Sequence, residues 1–202
     1  LKKMSYQKTY QLQLELLKKR ANNEISDTLL LVEHPAVITI GRSGSQDNIT
    51  VEQQVLRESG ISVYETNRGG DITYHGPGQL IGYPILNLKQ HKQDLHWLFR
   101  AYEEVFIRIL KEYSIEAKRI DGLTGVWVDE EKITAIGIAV KHWISYHGFA
   151  FNIRPNLDHF KYIIPCGIMD KGVTSLRELL KIEIEREEII KLVVKNFVEV
   201  FN

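Results

Sequence analysis

Cysteine is nearly absent from this chain: Cys166 is the single thiol among 202 residues. One thiol cannot close an internal disulfide, so a disulfide-stapled scaffold is excluded and a reducing compartment is favoured. It also leaves no C-x-x-C pair for a zinc site, and the histidines supply no substitute. His91 and His96, like His142 and His147, are five apart and miss the i,i+4 spacing of a helical metal pair. A charge excess is missing too. Lys plus Arg and Asp plus Glu number 26 each, which removes the basic field of a nucleic-acid binder and the acidic bias of a disordered tail. No apolar run approaches the roughly 18 residues of a membrane span, and no signal peptide is recognisable. G-x-S-x-G, the mark of a serine hydrolase, does not occur. Gly76 and Gly78 continue to Gly82, one residue late for a dinucleotide fingerprint, and no Gly-Lys-Ser/Thr marks a phosphate loop.

What is present is ordinary globular material. Hydrophobic residues at 44% and charged residues at 26% suit a soluble domain, and the length predicts one domain over residues 1–202. Helical periodicity marks residues 5–20. "TLLLVEHPAVITIG" reads as two short strands around Glu33-His34-Pro35, followed by a short helix near 51–59 closed by Gly60 and a strand "ISVYE". Asp94 is placed to cap the amphipathic pattern "LHWLFRAYEEVFIRILKEY". "TGVWVDEEKITAIGIAV" reads as a hairpin around Asp129-Glu130-Glu131, and "WISYHGFAFNI" as a further strand. Ser175 with Glu178 resembles a capping box, and "EREEIIKLVVKNFVEVFN" closes the chain as a helix. Strands come in clusters rather than in βαβ alternation. The fold class expected is therefore α+β, with a mixed or antiparallel sheet flanked by helices.

Two stretches carry chemistry. "NRGGDITYHGPGQLIGYPI" concentrates glycines among Arg68, Asp71, Thr73, Tyr74, His75 and Gln79. Glycines let a ligand touch the main chain, and the polar side chains could orient it; on glycine content alone the stretch also reads as a hairpin loop cornered by Pro77. "YIIPCGIMDKGVTSL" sets Cys166 between a proline and a glycine. A lone cysteine is more often a small core residue than a nucleophile. Lys132, at the start of "KITAIGIAV", reads alone as a solvated hairpin lysine.

Taken together, "RGGDITYHGPGQLIGYPILNL", "GLTGVWVDEEKITAIGI", "SYHGFAFNI" and "PCGIMDKGVTSL" resemble, in order, the signatures of the lipoyl(octanoyl) transferase family. "LLLVEHPAVITIGR" is similar to that family's N-terminal hairpin. The resemblance implies a fold like the catalytic domain of biotin and lipoate protein ligases. It also implies transfer of an octanoyl group from acyl carrier protein to a lysine of lipoyl domains in 2-oxoacid dehydrogenase complexes and the glycine cleavage H protein. In that family the cysteine of Pro-Cys-Gly-Ile takes the acyl group as a thioester, here Cys166, and the lysine before Ala-Ile-Gly is its partner, here Lys132. The implied substrate-binding residues are Arg68, Gly69, Gly70, Asp71, Ile72, Thr73, Tyr74 and His75, with Ala135, Ile136 and Gly137 and with Gly148, Phe149 and Ala150. The resemblance further implies no metal, no cofactor and no ATP, a monomer, and a cytoplasmic location or an organellar one in a eukaryote.

The chemistry of those residues is coherent. An ammonium beside a thiol favours the thiolate, so Lys132 would activate Cys166. Acylation would then remove that anion, easing proton loss from Lys132 and letting it act as base toward the incoming lysine. Backbone N–H groups at Cys166-Gly167 are the expected oxyanion donors. Three rivals are defined by what they would need. An ATP-dependent lipoate–protein ligase shares the fold but requires no thiol, a non-catalytic carrier-binding module would lack the Cys–Lys pair, and a thioesterase would hand the acyl group to water.

Overall fold

The structure, a computed structural model, describes residues 3–164 and 171–202. Helix α1 (Tyr6–Ala21) follows the expected period, and its basic last turn, Lys18 to Arg20, complements the negative end of the helix. Two aliphatic runs become β1 (Thr28–Val32) and β2 (Val37–Ile40). Helix α2 (Gln53–Glu58) stops at Gly60, whose φ of +66° suits a residue without a Cβ. Strands β3 (Ser62–Glu65), β4 (Ile72–His75) and β5 (Gln79–Ile85) follow. Asp94 caps α3 (Leu95–Glu112), its carboxylate accepting from the Trp97 N–H at 3.1 Å. Strands β6 (Lys118–Ile120), β7 (Leu123–Val128), β8 (Glu131–Lys141) and β9 (Ile144–Asn152) form an antiparallel meander. Strand β10 (Gly172–Val173) leads to α4 (Leu176–Leu180), capped by Ser175, and α5 (Arg186–Phe201) follows.

Seven strands make the main sheet in the order β1-β5-β9-β8-β7-β6, with β10 parallel to the start of β8. A second sheet, β3-β2-β4, pairs β2 parallel to β3 and antiparallel to β4. The architecture is α+β, as expected. One face of the main sheet carries the largest core cluster, where Leu80, Ile133, Ile138, Phe149 and Phe151 meet Tyr102, Phe106 and Ile109 of α3 and Ile189, Val193 and Phe197 of α5. The other face is shared. Helix α1 covers Ile85, Ala139 and Tyr146 with Leu17, while the segment before β4 reaches β8 through a Gly69 N–H to Ile138 O bond of 2.7 Å. No helix among the described residues is long and apolar enough to cross a membrane.

Two sequence expectations change. β1 and β2 do not pair as a hairpin: β1 lies on β5 and β2 lies in the other sheet. The physical reason is His34, fully buried at the junction and bonded through both ring nitrogens, which anchors the connection between the sheets although Pro35 beside it is exposed. The glycine-rich segment is not a hairpin loop throughout, since 72–75 form β4, paired from Ile72↔Ile40 to His75↔Val37.

The core assignment has a direct check. Phe106 is fully buried, with its ring centroid 4.7 Å from that of Phe149 and 5.0 Å from that of Phe151. Phe106→Ala is expected to lower unfolding free energy by about 3–5 kcal/mol in urea titration. Ile182→Ala, at a residue 57% exposed, should change it by no more than about 0.5 kcal/mol. Similar losses at the two positions would contradict this layering.

Candidate active site

Side chains alternate across a strand, so the register of the main sheet fixes what lines the face opposite α3 and α5. Ala135 pairs with Ala150 and Gly137 with Gly148 between β8 and β9, and Ile81 pairs with Ala150 between β5 and β9. These small residues floor a trough, bordered on the β5 side by Gln79, Ile81 and Tyr83, which share one face at i, i+2 spacing. Phe149 and Ile136 also border the cavity, although both belong mainly to the helix-side core.

The roof comes from the second sheet and the segment leading into β4. Gly70, Asp71, Ile72, Thr73 and His75 border the cavity, as does Arg68. The Arg68 guanidinium is buried and donates from Nη2 to Thr39 O at 2.6 Å and from Nη1 to Gly69 O at 3.1 Å, tying this segment to β2. Asp71 accepts from Asn48 Nδ2 at 2.9 Å and from the Ile72 N–H at 2.7 Å. The close approach explains one glycine: a Cβ on Gly137 would lie 3.0 Å from Gly69 O and 3.3 Å from Arg68 Cδ. Two expected residues lie elsewhere. Tyr74 packs with Ile38, Leu56 and Ile163 in a separate core, its ring 5.3 Å from that of Phe160, and burial pushes its phenol up to about 12. Gly69 carries the backbone bond to Ile138 and does not border the cavity.

Lys132 borders one end of this cavity. By alternation it should oppose Ala135, since the two are three apart on one strand. The ladder between β7 and β8 slips: Trp127 pairs with Lys132 but Val126 pairs with Thr134, so two residues of β8 match one step of β7. That bulge inverts the phase and puts Lys132 on the same face as Ala135 and Gly137, while Ile133 and Ile136 share the helix-side core. The ammonium stands over Trp127, 4.7 Å from the ring centroid. β10 runs alongside, Val173 beside Lys132, and Thr174 N donates to Lys132 O at 3.1 Å. Asn152 holds this return through Nδ2 to Thr174 O at 3.0 Å and accepts from Gln79 Nε2 at 2.8 Å. Lys171, ion-paired with Glu130, borders the same end. Cys166, with the Cys166-Gly167 backbone, lies outside the described residues. Among the described residues no three His, Cys, Asp or Glu side chains converge to hold a metal ion.

Sequence reasoning missed the far end of the trough, where Tyr6, Tyr83 and His147 come together. Tyr83 and His147 fall inside the glycine-rich and "SYHGFAFNI" motifs, and the i, i+2 phase from Gln79 is the signal for Tyr83. Tyr6 had none, because only folding brings α1 there. His147 takes φ of +57° within β9, its N–H donating to Gln13 Oε1 of α1 at 2.8 Å and its Nε2 meeting Asn67 Oδ1 at 2.9 Å.

Three histidines around this end are held neutral. Burial depresses His34, and it lowers His75 strongly with help from His34 and Arg68. His147 falls to about 3, through burial and then the positive charges of Arg68 and Arg42. A histidine whose folded value lies below its unfolded value near 6.5 contributes stability above 6.5 and loses it as pH falls toward the folded value. Between pH 7 and pH 5.5 His75 and His147 should therefore each remove about 1 kcal/mol from the unfolding free energy, with His34 acting in the same direction. Denaturant titration across that range checks this, and a flat profile would contradict it.

Over residues 5–198 the sequence matches the family described as the lipoyl protein ligase A/B catalytic domain. An octanoyltransferase of Caldicellulosiruptor saccharolyticus is 52% identical over 203 residues, covering 100% of this chain and 86% of that protein. One from Alkaliphilus metalliredigens is 50% identical, covering 98% of this chain and 91% of that protein. The fold is also that of lipoate–protein ligase A bound with ATP, with a TM-score of 0.71 at 16% identity over 94% of this chain and 80% of that one. A bipartite lipoate protein ligase of Thermoplasma acidophilum gives a TM-score of 0.74 at 16% identity, over 99% and 81%. At such identities the structural likeness speaks to the fold, whereas the sequence matches run nearly end to end, and on them the chain belongs to the lipoyl protein ligase A/B catalytic-domain family, among its octanoyltransferases.

Proposed function

We propose that this protein transfers an octanoyl group from the thioester of an acyl carrier protein, through a thioester on Cys166, to a lysine of a lipoyl domain. The observation that carries this reading is the position of Lys132 at one end of a trough floored by Ala135, Ala150 and Gly137. Small side chains there leave room for an alkyl chain, whose burial is worth about 0.8 kcal/mol per methylene. The octanoyltransferase names of relatives at 44–52% identity support the same reaction.

In the first half-reaction the Cys166 thiolate attacks the donor carbonyl, and the carrier sulfur leaves with the proton of the Lys132 ammonium, which leaves that lysine a neutral amine. In the second, the acceptor amine attacks the acyl-enzyme, losing a proton, and the Cys166 thiolate leaves. Lys132 serves both steps: as an ammonium it favours the thiolate, and once Cys166 is a neutral thioester that attraction is gone and Lys132 can take the proton of the attacking amine. No ATP is needed, because the donor thioester is already activated. Acceptors are lipoyl domains of 2-oxoacid dehydrogenase complexes and the glycine cleavage H protein. The enzyme acts as a monomer, in the cytoplasm of a bacterial source; a relative from Arabidopsis thaliana is named as chloroplastic.

Mixing the protein with octanoyl-acyl carrier protein, without ATP, should add one octanoyl group that hydroxylamine removes and a lipoyl domain discharges, as read by intact mass. Cys166→Ser should form no hydroxylamine-sensitive adduct. Acceptor modification that requires ATP and free acid would instead identify a ligase. Lys132→Ala should slow transfer by about 100-fold or more. Stopped-flow measurement of the separate half-reactions should give different pH profiles, and superimposable profiles would contradict the switching role of Lys132.

A further inference from the structure

The trough has a hard end. From Lys132 to Gly137 the floor runs four ladder steps, since the slip takes two residues for one, or about 13 Å at strand spacing. Beyond the Ala135–Ala150 pair, the face of β5 presents Tyr83, two residues on from Ile81 and level by register with Gly148 and Gly137. The Tyr83 ring is 4% exposed and borders the cavity.

Its hydroxyl is fixed by a chain of hydrogen bonds. His34 Nδ1 lies 2.7 Å from Met4 O, which can only accept, so Nδ1 carries the proton. Because burial keeps this ring neutral, Nε2 has a free lone pair and accepts from the Tyr83 hydroxyl at 2.7 Å. Tyr6 packs against the same assembly, its ring centroid 5.7 Å from that of His34, and its hydroxyl donates to Thr66 at 2.9 Å. The end wall is thus made of polar aromatic groups, Tyr83 and His34 hydrogen-bonded to each other and Tyr6 to Thr66.

We propose that the Tyr83–His34 pair sets the upper limit of acyl chain length, with Ala135 and Ala150 setting the bore that leads to it. This rests on the octanoyl-transfer reading, which puts the reacting end of the acyl chain at Lys132 and its methyl end at Tyr83. The limit is sharp for an energetic reason. Each further methylene buried favours binding by about fourfold. Swinging Tyr83 aside would leave two buried polar groups unpaired, each at a penalty of about five-fold to more than a hundredfold. One extra methylene cannot open the wall. An apolar end wall would lack this stiffness, since aliphatic side chains repack with smaller loss.

The test is a competition. Wild type, Tyr83→Phe, Tyr83→Leu and Ala135→Val are each given an equimolar mixture of hexanoyl-, octanoyl-, decanoyl- and dodecanoyl-acyl carrier protein with limiting lipoyl domain. The acyl groups on the lipoyl domain are then weighed by intact mass. Tyr83→Phe keeps the ring but frees it, and should raise the decanoyl-to-octanoyl ratio at least fivefold; Tyr83→Leu should raise it further and admit dodecanoyl. Ala135→Val narrows the bore and should shift the product toward hexanoyl. If Tyr83→Leu does not fold, Tyr83→Phe decides. An unchanged distribution in a Tyr83→Phe protein with wild-type melting temperature would overturn the length limit and leave octanoyl transfer standing. Absence of transfer by the wild type from any donor would overturn both.

Discussion

A single slipped step in the ladder between β7 and β8 decides what the rest of the site can be. Strand alternation is strict, and without the slip Lys132 would face α3 and α5, where the core is largely apolar and the buried Glu103 carboxylate is already engaged by Arg100, Arg119 and the Gly125 N–H. With it, the same strand sends isoleucines at 133, 136 and 138 into the core and keeps Lys132, Ala135 and Gly137 on the cavity side. Trp127, on the neighbouring strand and paired in register with Lys132, meets the ammonium with the face of its ring. Gly125 makes the slip sterically feasible, since its φ is +117° and a Cβ there would lie 2.5 Å from Thr134 O.

Around this step the structure is built to resist deformation at both ends of the trough. At the Lys132 end, β10 lies on β8, and an amide relay from Gln79 through Asn152 to Thr174 O fastens it to β5 and β9. At the other end, α1 joins the wall by Tyr6 and Tyr10, whose hydroxyls bond Thr66 and Asn67 just before Arg68. The histidines there work as neutral hydrogen-bonding groups, because burial beside Arg68 makes a further positive charge unfavourable. At Tyr6, His34 and Tyr83 the polar groups are hydrogen-bonded, which gives that part of the wall its definite shape.

The same scaffold is found in lipoate–protein ligases at 16% identity, so the layers and the sheet order do not by themselves choose a chemistry. A lysine at the start of β8 suits a site where an acyl carbonyl meets an amine. The thiol at position 166 is the feature a thioester mechanism needs and an adenylating one does not.

Much of this was legible in the sequence, for physical reasons that also mark its limit. Alternation marked "KITAIGIAV" and "SYHGFAFNI" as strands, turn and cap residues marked the hairpin at Asp129 and the starts of α3 and α4, and ordered motifs pointed to Arg68 and Lys132, which border the cavity. These are local signals, carried by residues close in sequence. Three matters depended on distance. His34, buried between sheets, sends β1 and β2 to different sheets, although their sequence is that of a hairpin. Tyr74 and His75 are neighbours in one motif, yet alternation on β4 sends one to a separate core and the other to the cavity. Tyr6, Tyr83 and His147 form one wall only because α1 packs across β5 and β9, a contact between residues more than sixty positions apart that no local pattern encodes.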